Sequence, residues 1–235
     1  MTAMSFSLVC LPFAGSGAGF YRAWAKEDVE GLRVVPLQLP GREERFVEAP
    51  YTDVAQAVRE LVPQTLRLVG GKGPVALFGH SLGAVLAYEI ARELEAQGFS
   101  ELRHLFVSGS PGPRKGREQQ ASGLGEDEFL MRVVEFAGYR HDAFDDPELR
   151  DLLLPVLRAD VAMHESYLPA SDRALSIPVT ALRGTDDGLV SAAETEQWSG
   201  TTRGRFETEE FPGGHMYLVD SAKKVLETVV RSCRP

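Results

Sequence analysis

The stretch Pro74-Val75-Ala76-Leu77-Phe78-Gly79-His80-Ser81-Leu82-Gly83 carries an apolar run into a Gly-x-Ser-x-Gly turn. Pro74 to Phe78 predicts a buried strand, since short apolar runs bounded by glycine or proline sit inside sheets. Beyond the turn, Leu82, Val85, Leu86, Ile90 and Leu94 recur at helical spacing, and Gly98 supplies a C-cap. A strand that becomes a helix across so few residues must bend sharply. Glycines on either side of the serine let neighbouring elements approach, and the hydroxyl is left exposed at the top of the sheet.

Working outward, the same alternation repeats. Phe6 to Leu11, Arg33 to Leu37, His104 to Ser108, Pro178 to Leu182 and Phe206 to Phe211 predict further strands. Val54, Ala57, Val58 and Leu61 predict a helix that Pro63 should kink or break, and a helix from about Met216 to Arg231 closes the chain. Strands alternating with helices indicate an α/β domain with a mostly parallel central sheet flanked by helices. Roughly 70 residues separate the strands at Ser108 and Pro178, far more than a simple crossover needs. Phe129, Val133, Val134 and Phe136 suggest one helix there. Leu149, Leu152, Leu153, Val156 and Leu157 suggest a second helical region, interrupted at Pro155. The expectation is one domain over 1–235, with a helical lid insertion at about 113–170 above the carboxyl ends of the strands.

At 235 residues the chain is long enough for a full hydrophobic core in that single domain. Its formal charge of −9 argues against nucleic acid or an anionic membrane as a general partner. Cys10 lies in an apolar run and Cys233 near the other end, so neither a disulfide framework nor a zinc site is expected, and no metal. The N-terminus lacks the pattern of a signal peptide, and no apolar run is long enough to span a membrane. The expected location is the cytoplasm.

The strand, Gly-x-Ser-x-Gly turn and helix together resemble the nucleophile elbow of the α/β-hydrolase fold, with Ser81 as nucleophile. A serine hydroxyl needs a base to take its proton and a third group to orient that base. In that fold the chain order is serine, acid, histidine. His104, His141, His164 and His215 follow Ser81; only His215 falls in a loop between the last strand and the last helix, where the base is expected. For the acid, Asp186 and Asp187 follow the strand ending near Leu182, and spacing does not choose between them. Many α/β-hydrolases carry Gly-x-x-Asp-x-x-Val here, and Gly184, Asp187 and Val190 match it, so the resemblance selects Asp187. An oxyanion hole requires two backbone amides. Leu82 is one, and Ala14 is the other, with Phe13 or Gly15 as alternatives on the same loop.

Over nearly its whole length the chain resembles the stand-alone type II thioesterases of polyketide and nonribosomal peptide synthesis. The resemblance rests on Leu11-Pro12-Phe13-Ala14-Gly15, Gln38-Leu39-Pro40-Gly41-Arg42-Glu43-Glu44-Arg45 and Phe78-Gly79-His80-Ser81-Leu82-Gly83. It continues through Leu157-Arg158-Ala159-Asp160, Gly184-Thr185-Asp186-Asp187 and Phe211-Pro212-Gly213-Gly214-His215. Phe13-Ala14-Gly15-Ser16 departs from the family, which often has His or Tyr before Ala-Gly-Gly. The resemblance implies hydrolysis of acyl thioesters from the phosphopantetheine arm of an acyl or peptidyl carrier protein, with no cofactor of the enzyme's own. A carboxylesterase or an acyltransferase would use the same triad, and a hydrolase-like binding protein would need none. Arg114, Lys115 and Arg117 are a candidate carrier contact or a solvated loop, and Arg42 and Arg45 a phosphate contact or structural ion pairs. Phe129, Phe136 and Phe144 are candidates for an acyl pocket or for the lid core.

Overall fold

Along β1 (Phe6–Leu11), Leu8 and Cys10 enter one hydrophobic cluster while Val9 and Leu11 enter another. That alternation is the two-residue period of a strand buried on both faces. The same split recurs in β3 (Val75–His80), where Ala76 and Phe78 face one way and Val75 and Leu77 the other. A computed structural model describes residues 6–113, 121–137 and 144–233. Within them β2 (Leu32–Pro36), β4 (Leu102–Ser108), β5 (Val179–Gly184) and β6 (Phe206–Phe211) complete a six-stranded sheet of order β2-β1-β3-β4-β5-β6. Every neighbouring pair is parallel. The expected α/β-hydrolase architecture is therefore the observed one.

Helices cover both faces. On the face of Val9 and Leu77 lie α2 (Val54–Val69) and α3 (Leu82–Ala96); on the face of Leu8 and Phe78 lie α1 (Ala18–Trp24) and α7 (Ala222–Cys233). Cys10 is one of the small buried packing residues, as expected from its apolar run. Gly98, at positive φ, follows the end of α3, and the Phe99 amide donates back to the Leu94 carbonyl, which closes the helix.

Three sequence expectations need correction. The helix α2 passes through Pro63 without a break, and α5 (Pro147–Glu165) passes through Pro155. Both prolines lie on exposed positions, as do Arg59 and Asp151, whose carbonyls lose their helical donors. Water can serve those carbonyls, while Leu61, Val62, Leu154 and Val156 hold the opposite face in the core. The last helix starts at Ala222, because Tyr217–Val219 forms a separate 3-10 turn.

Between β4 and β5, α4 (Glu126–Ala137) and α5 form a third cluster around Ala121, Phe129, Leu154 and Leu157. Glu165 accepts bonds from the amides of Ala121 and Ser122, and Arg158 holds the carbonyls of Ser122 and Leu124. The Arg158 guanidinium also lies 4.3 Å over the Phe129 ring. Phe129 is thus core of this helical pair. The α6 helix (Ala192–Glu196) carries a capping box from Ser191 and Glu194. Among the described residues no helix is long and apolar enough to cross a membrane.

Candidate active site

Ser81 has φ 53 and ψ −117, an uncommon conformation for a residue with a side chain. Holding it costs about 1–3 kcal/mol, so the surroundings must enforce it. They do so by close packing. A Cβ on Gly79 would lie 1.9 Å from the Gly83 carbonyl oxygen, and one on Gly83 would lie 2.3 Å from that of Leu11. The Ser81 amide donates to the Ser108 carbonyl at 2.8 Å, which ties the turn to the end of β4.

The turn feeds α3 directly, so the Leu82 amide is the first of the helix and has no carbonyl a turn earlier to bond. Close by, the loop after β1 supplies Phe13, Ala14 and Gly15. Of these, Gly15 is spoken for: its amide donates to Asp160 Oδ2 at 2.8 Å. That leaves Phe13 and Ala14 as possible second donors.

Asp187 and His215 come from the loops after β5 and β6. These loops are stitched together, with the Thr185 amide on the Phe211 carbonyl and the Asp186 amide on the Gly213 carbonyl. Asp187 is 6% exposed and His215 9%, whereas Asp186 points to solvent. His215 Nδ1 donates to Asp187 Oδ2 at 2.9 Å, and Asp187 Oδ1 accepts from the amides of Leu189 and Val190. Burial alone would raise the Asp187 carboxyl. The His215 bond and charge, with the two amides, outweigh it and hold the group below the usual carboxylate range. With Nδ1 carrying the proton, His215 Nε2 is left as the accepting nitrogen.

Ser81 and His215 both line a cavity of about 580 Å³ whose walls are mostly apolar. Phe13 and Phe20 come from the β1 side, Leu153, Val156 and Val161 come from α5, and Phe144 comes from the segment just before it. A larger groove of about 730 Å³ runs between α2, α3 and the segment after α5, and none of the site residues touches it.

Other sequence candidates fall elsewhere. His104 is buried in β4 against Thr180, and Arg114, Lys115, Arg117 and His141 lie outside the described residues. The phosphate idea for Arg42 does not survive, because its guanidinium is buried in a two-point pair with Asp160 at 2.5 and 2.9 Å. Arg45 likewise binds Glu48 and the Gln38 carbonyl. Phe144 lines the cavity, Phe129 does not, and the Phe136 side chain is outside the description. Sequence reasoning missed the contacts that His80 and Asp160 make around the site. His80 was only the variable position of its motif, and the partners of Asp160 lie more than a hundred residues away.

The thioesterase-domain family model matches residues 6–233. The gramicidin S biosynthesis protein GrsT of Aneurinibacillus migulanus is 31% identical over 234 residues, covering 99% of this chain and 91% of that protein. Among solved structures, the type II thioesterase BorB from the borrelidin biosynthetic cluster aligns with a TM-score of 0.88 at 35% identity, over 98% of this chain and 93% of that one. YbtT, a type II thioesterase from the yersiniabactin pathway, aligns with a TM-score of 0.89 at 27% identity, over 98% and 93%.

Proposed function

The chain belongs to the thioesterase-domain family, and from that premise we propose that it hydrolyses acyl thioesters carried on the phosphopantetheine arm of an acyl or peptidyl carrier protein. The reading places the enzyme beside a polyketide or nonribosomal peptide synthase, as editor or as release factor. The observation that carries it is the buried Asp187–His215 pair together with a strained Ser81, with Ser81 and His215 both lining an apolar cavity sized for an acyl chain.

In this mechanism His215 Nε2 takes the Ser81 proton as Oγ attacks the thioester carbonyl. Negative charge gathers on the carbonyl oxygen, and the amides of Leu82 and Ala14 stabilise it, each worth about 3 kcal/mol in such sites. The tetrahedral intermediate collapses with loss of the pantetheine thiol, whose low basicity (thiol pKa roughly 8.5) makes it a good leaving group. Water, deprotonated by His215, then attacks the acyl-enzyme, and the proton returns to Ser81. Asp187 keeps the imidazole in the productive tautomer and stabilises its charged form. The helical pair α4–α5 acts as the lid over the acyl chain.

Turnover of a panel of acyl-carrier-protein thioesters, compared with matched oxygen esters and with Ser81→Ala, tests this reading. Thioester hydrolysis that is lost in Ser81→Ala is the expected result. A strong preference for oxygen esters overturns the substrate assignment.

A further inference from the structure

The turn after β1 is held from above by a buried charge on the cap. Asp160 is 1% exposed, and both of its oxygens are used: Oδ1 takes Arg42 at 2.9 Å, while Oδ2 takes Arg42 at 2.5 Å and the Gly15 amide at 2.8 Å. Arg42 in turn donates to the carbonyls of Pro40 and Ser16. Within the turn, the Phe13 carbonyl accepts both the amide and the hydroxyl of Ser16. Gly15, at φ 76, has the backbone that the third position of a type II turn requires.

That geometry has a consequence for the neighbouring amide. The Phe13 carbonyl and the Ala14 N–H belong to one peptide plane and point opposite ways. With the carbonyl turned inward to Ser16, the Ala14 N–H is turned outward from the turn. Type I and type II turns differ by a flip of the next peptide, Ala14–Gly15. A carboxylate accepts an N–H and repels a carbonyl, so Asp160 selects the arrangement with the Gly15 N–H facing it.

We propose that Asp160 is a positioning residue for the oxyanion hole: its bonds to Gly15 and Arg42 anchor the Phe13–Ser16 turn in place, and with it the outward-facing Ala14 amide. This rests on the assignment of Ser81 and Ala14 made above. Asp160 sits on the same stripe of α5 as Val156, Leu157 and Val161, which line the cavity. The helix that covers the acyl chain therefore also holds the turn that would receive the carbonyl oxygen.

Asp160→Ala alone strands Arg42 as a buried unpaired charge and risks unfolding, so the test uses two neutral pairs. Arg42→Met with Asp160→Asn removes the ion pair but keeps an oxygen for the Gly15 amide. Arg42→Met with Asp160→Leu removes that oxygen as well. With both pairs shown folded by thermal melting, kcat on a saturating acyl-pantetheine thioester should be about 10- to 100-fold lower for the leucine pair than for the asparagine pair. KM should change little, and affinity for an acyl-chain boronic acid, a tetrahedral adduct former, should fall in parallel. Equal kcat in the two pairs, or a difference confined to KM, overturns the inference. Retained turnover in Ser81→Ala overturns the site assignment itself and the inference with it. A dead Ser81→Ala alongside equal pairs removes the inference alone. If the leucine pair does not fold, Arg42→Met with Asp160→Ala takes its place: kcat and boronic-acid affinity equal to those of the asparagine pair overturn the inference.

Discussion

The imidazoles of His80 and His215 lie with ring centroids 4.7 Å apart at a tilt of 48°, so the residue before Ser81 packs on the histidine that bonds Asp187. His80 is itself held: its Nδ1 pairs with Ser108 Oγ at 2.8 Å, and that oxygen pairs with the Tyr217 hydroxyl at 2.7 Å. Tyr217 stands two residues beyond His215 and stacks on Phe211 at 5.1 Å. Three segments (the serine turn, the end of β4 and the histidine loop) are thus joined by side chains as well as by the sheet.

Tyr217→Phe deletes one bond of this chain without changing the stacked ring. Burial pushes the Tyr217 phenol up, so it is protonated at neutral pH and the lost contact is a neutral one. The expected cost is about 1 kcal/mol in denaturant unfolding. Ser108→Ala should cost more, since it strips partners from both His80 and Tyr217. Wild-type midpoints in both variants would show that the chain contributes nothing.

Exchanging the two adjacent aspartates separates their roles. Asp187→Asn keeps the shape but inverts what His215 Nδ1 meets, and kcat should fall by about 10⁴-fold. Asp186→Asn, on an exposed side chain, should leave kcat near wild type. Because the Asp187 carboxyl is held below its ordinary range, its stabilising contribution is present above the unfolded pKa and lost as pH falls through the lowered folded value. A wild-type rate in Asp187→Asn would transfer the acid role elsewhere.

His104 predicts an acid-sensitive step that has nothing to do with catalysis. Burial, with a smaller push from Arg205, lowers its pKa to about 4, and its Nε2 bonds Thr180 at 2.8 Å. Between that value and an unfolded pKa of about 6.5, the unfolded chain binds the extra proton, so stability falls as pH drops through this window. The full span corresponds to about 3 kcal/mol. Unfolding free energies of wild type should slope between pH 6.5 and 4, and His104→Gln should flatten the slope. Parallel profiles would refute the assignment.

Leu153 lines the apolar cavity from α5. Leu153→Trp should fill part of that space and shorten the acyl chain that fits. For a long acyl thioester kcat/KM should drop by about tenfold or more, while acetyl or propionyl substrates change little. A uniform drop across chain lengths would mean that the acyl group does not occupy this cavity.

How much of this was legible in advance depends on the distance between partners. The strand, turn and helix around Ser81 could be read directly, since apolar period and turn glycines act within a few residues. The order serine, acid, histidine came from the resemblance to the α/β-hydrolase fold, and the succession of strands placed Asp186, Asp187 and His215 in the loops where that order expects them. Pro63 and Pro155 misled because a local rule about lost hydrogen bonds does not say which side of the helix faces water. The choice of Asp187 over Asp186 came from resemblance, and only the stitched loops show why Asp186 turns outward.

By itself, then, the sequence determined the alternation of strands and helices, the sharp turn at Ser81 and the loops that carry Asp187 and His215. All of these are short-range consequences of side-chain period and backbone sterics. The tertiary structure alone decided that Asp160 grips Gly15 and Arg42, that His80 rests on His215, and that Tyr217 closes the chain through Ser108. Those contacts join residues up to 145 apart in sequence. Buried polar groups must find partners wherever the packed sheet brings them, and no local pattern records where that is.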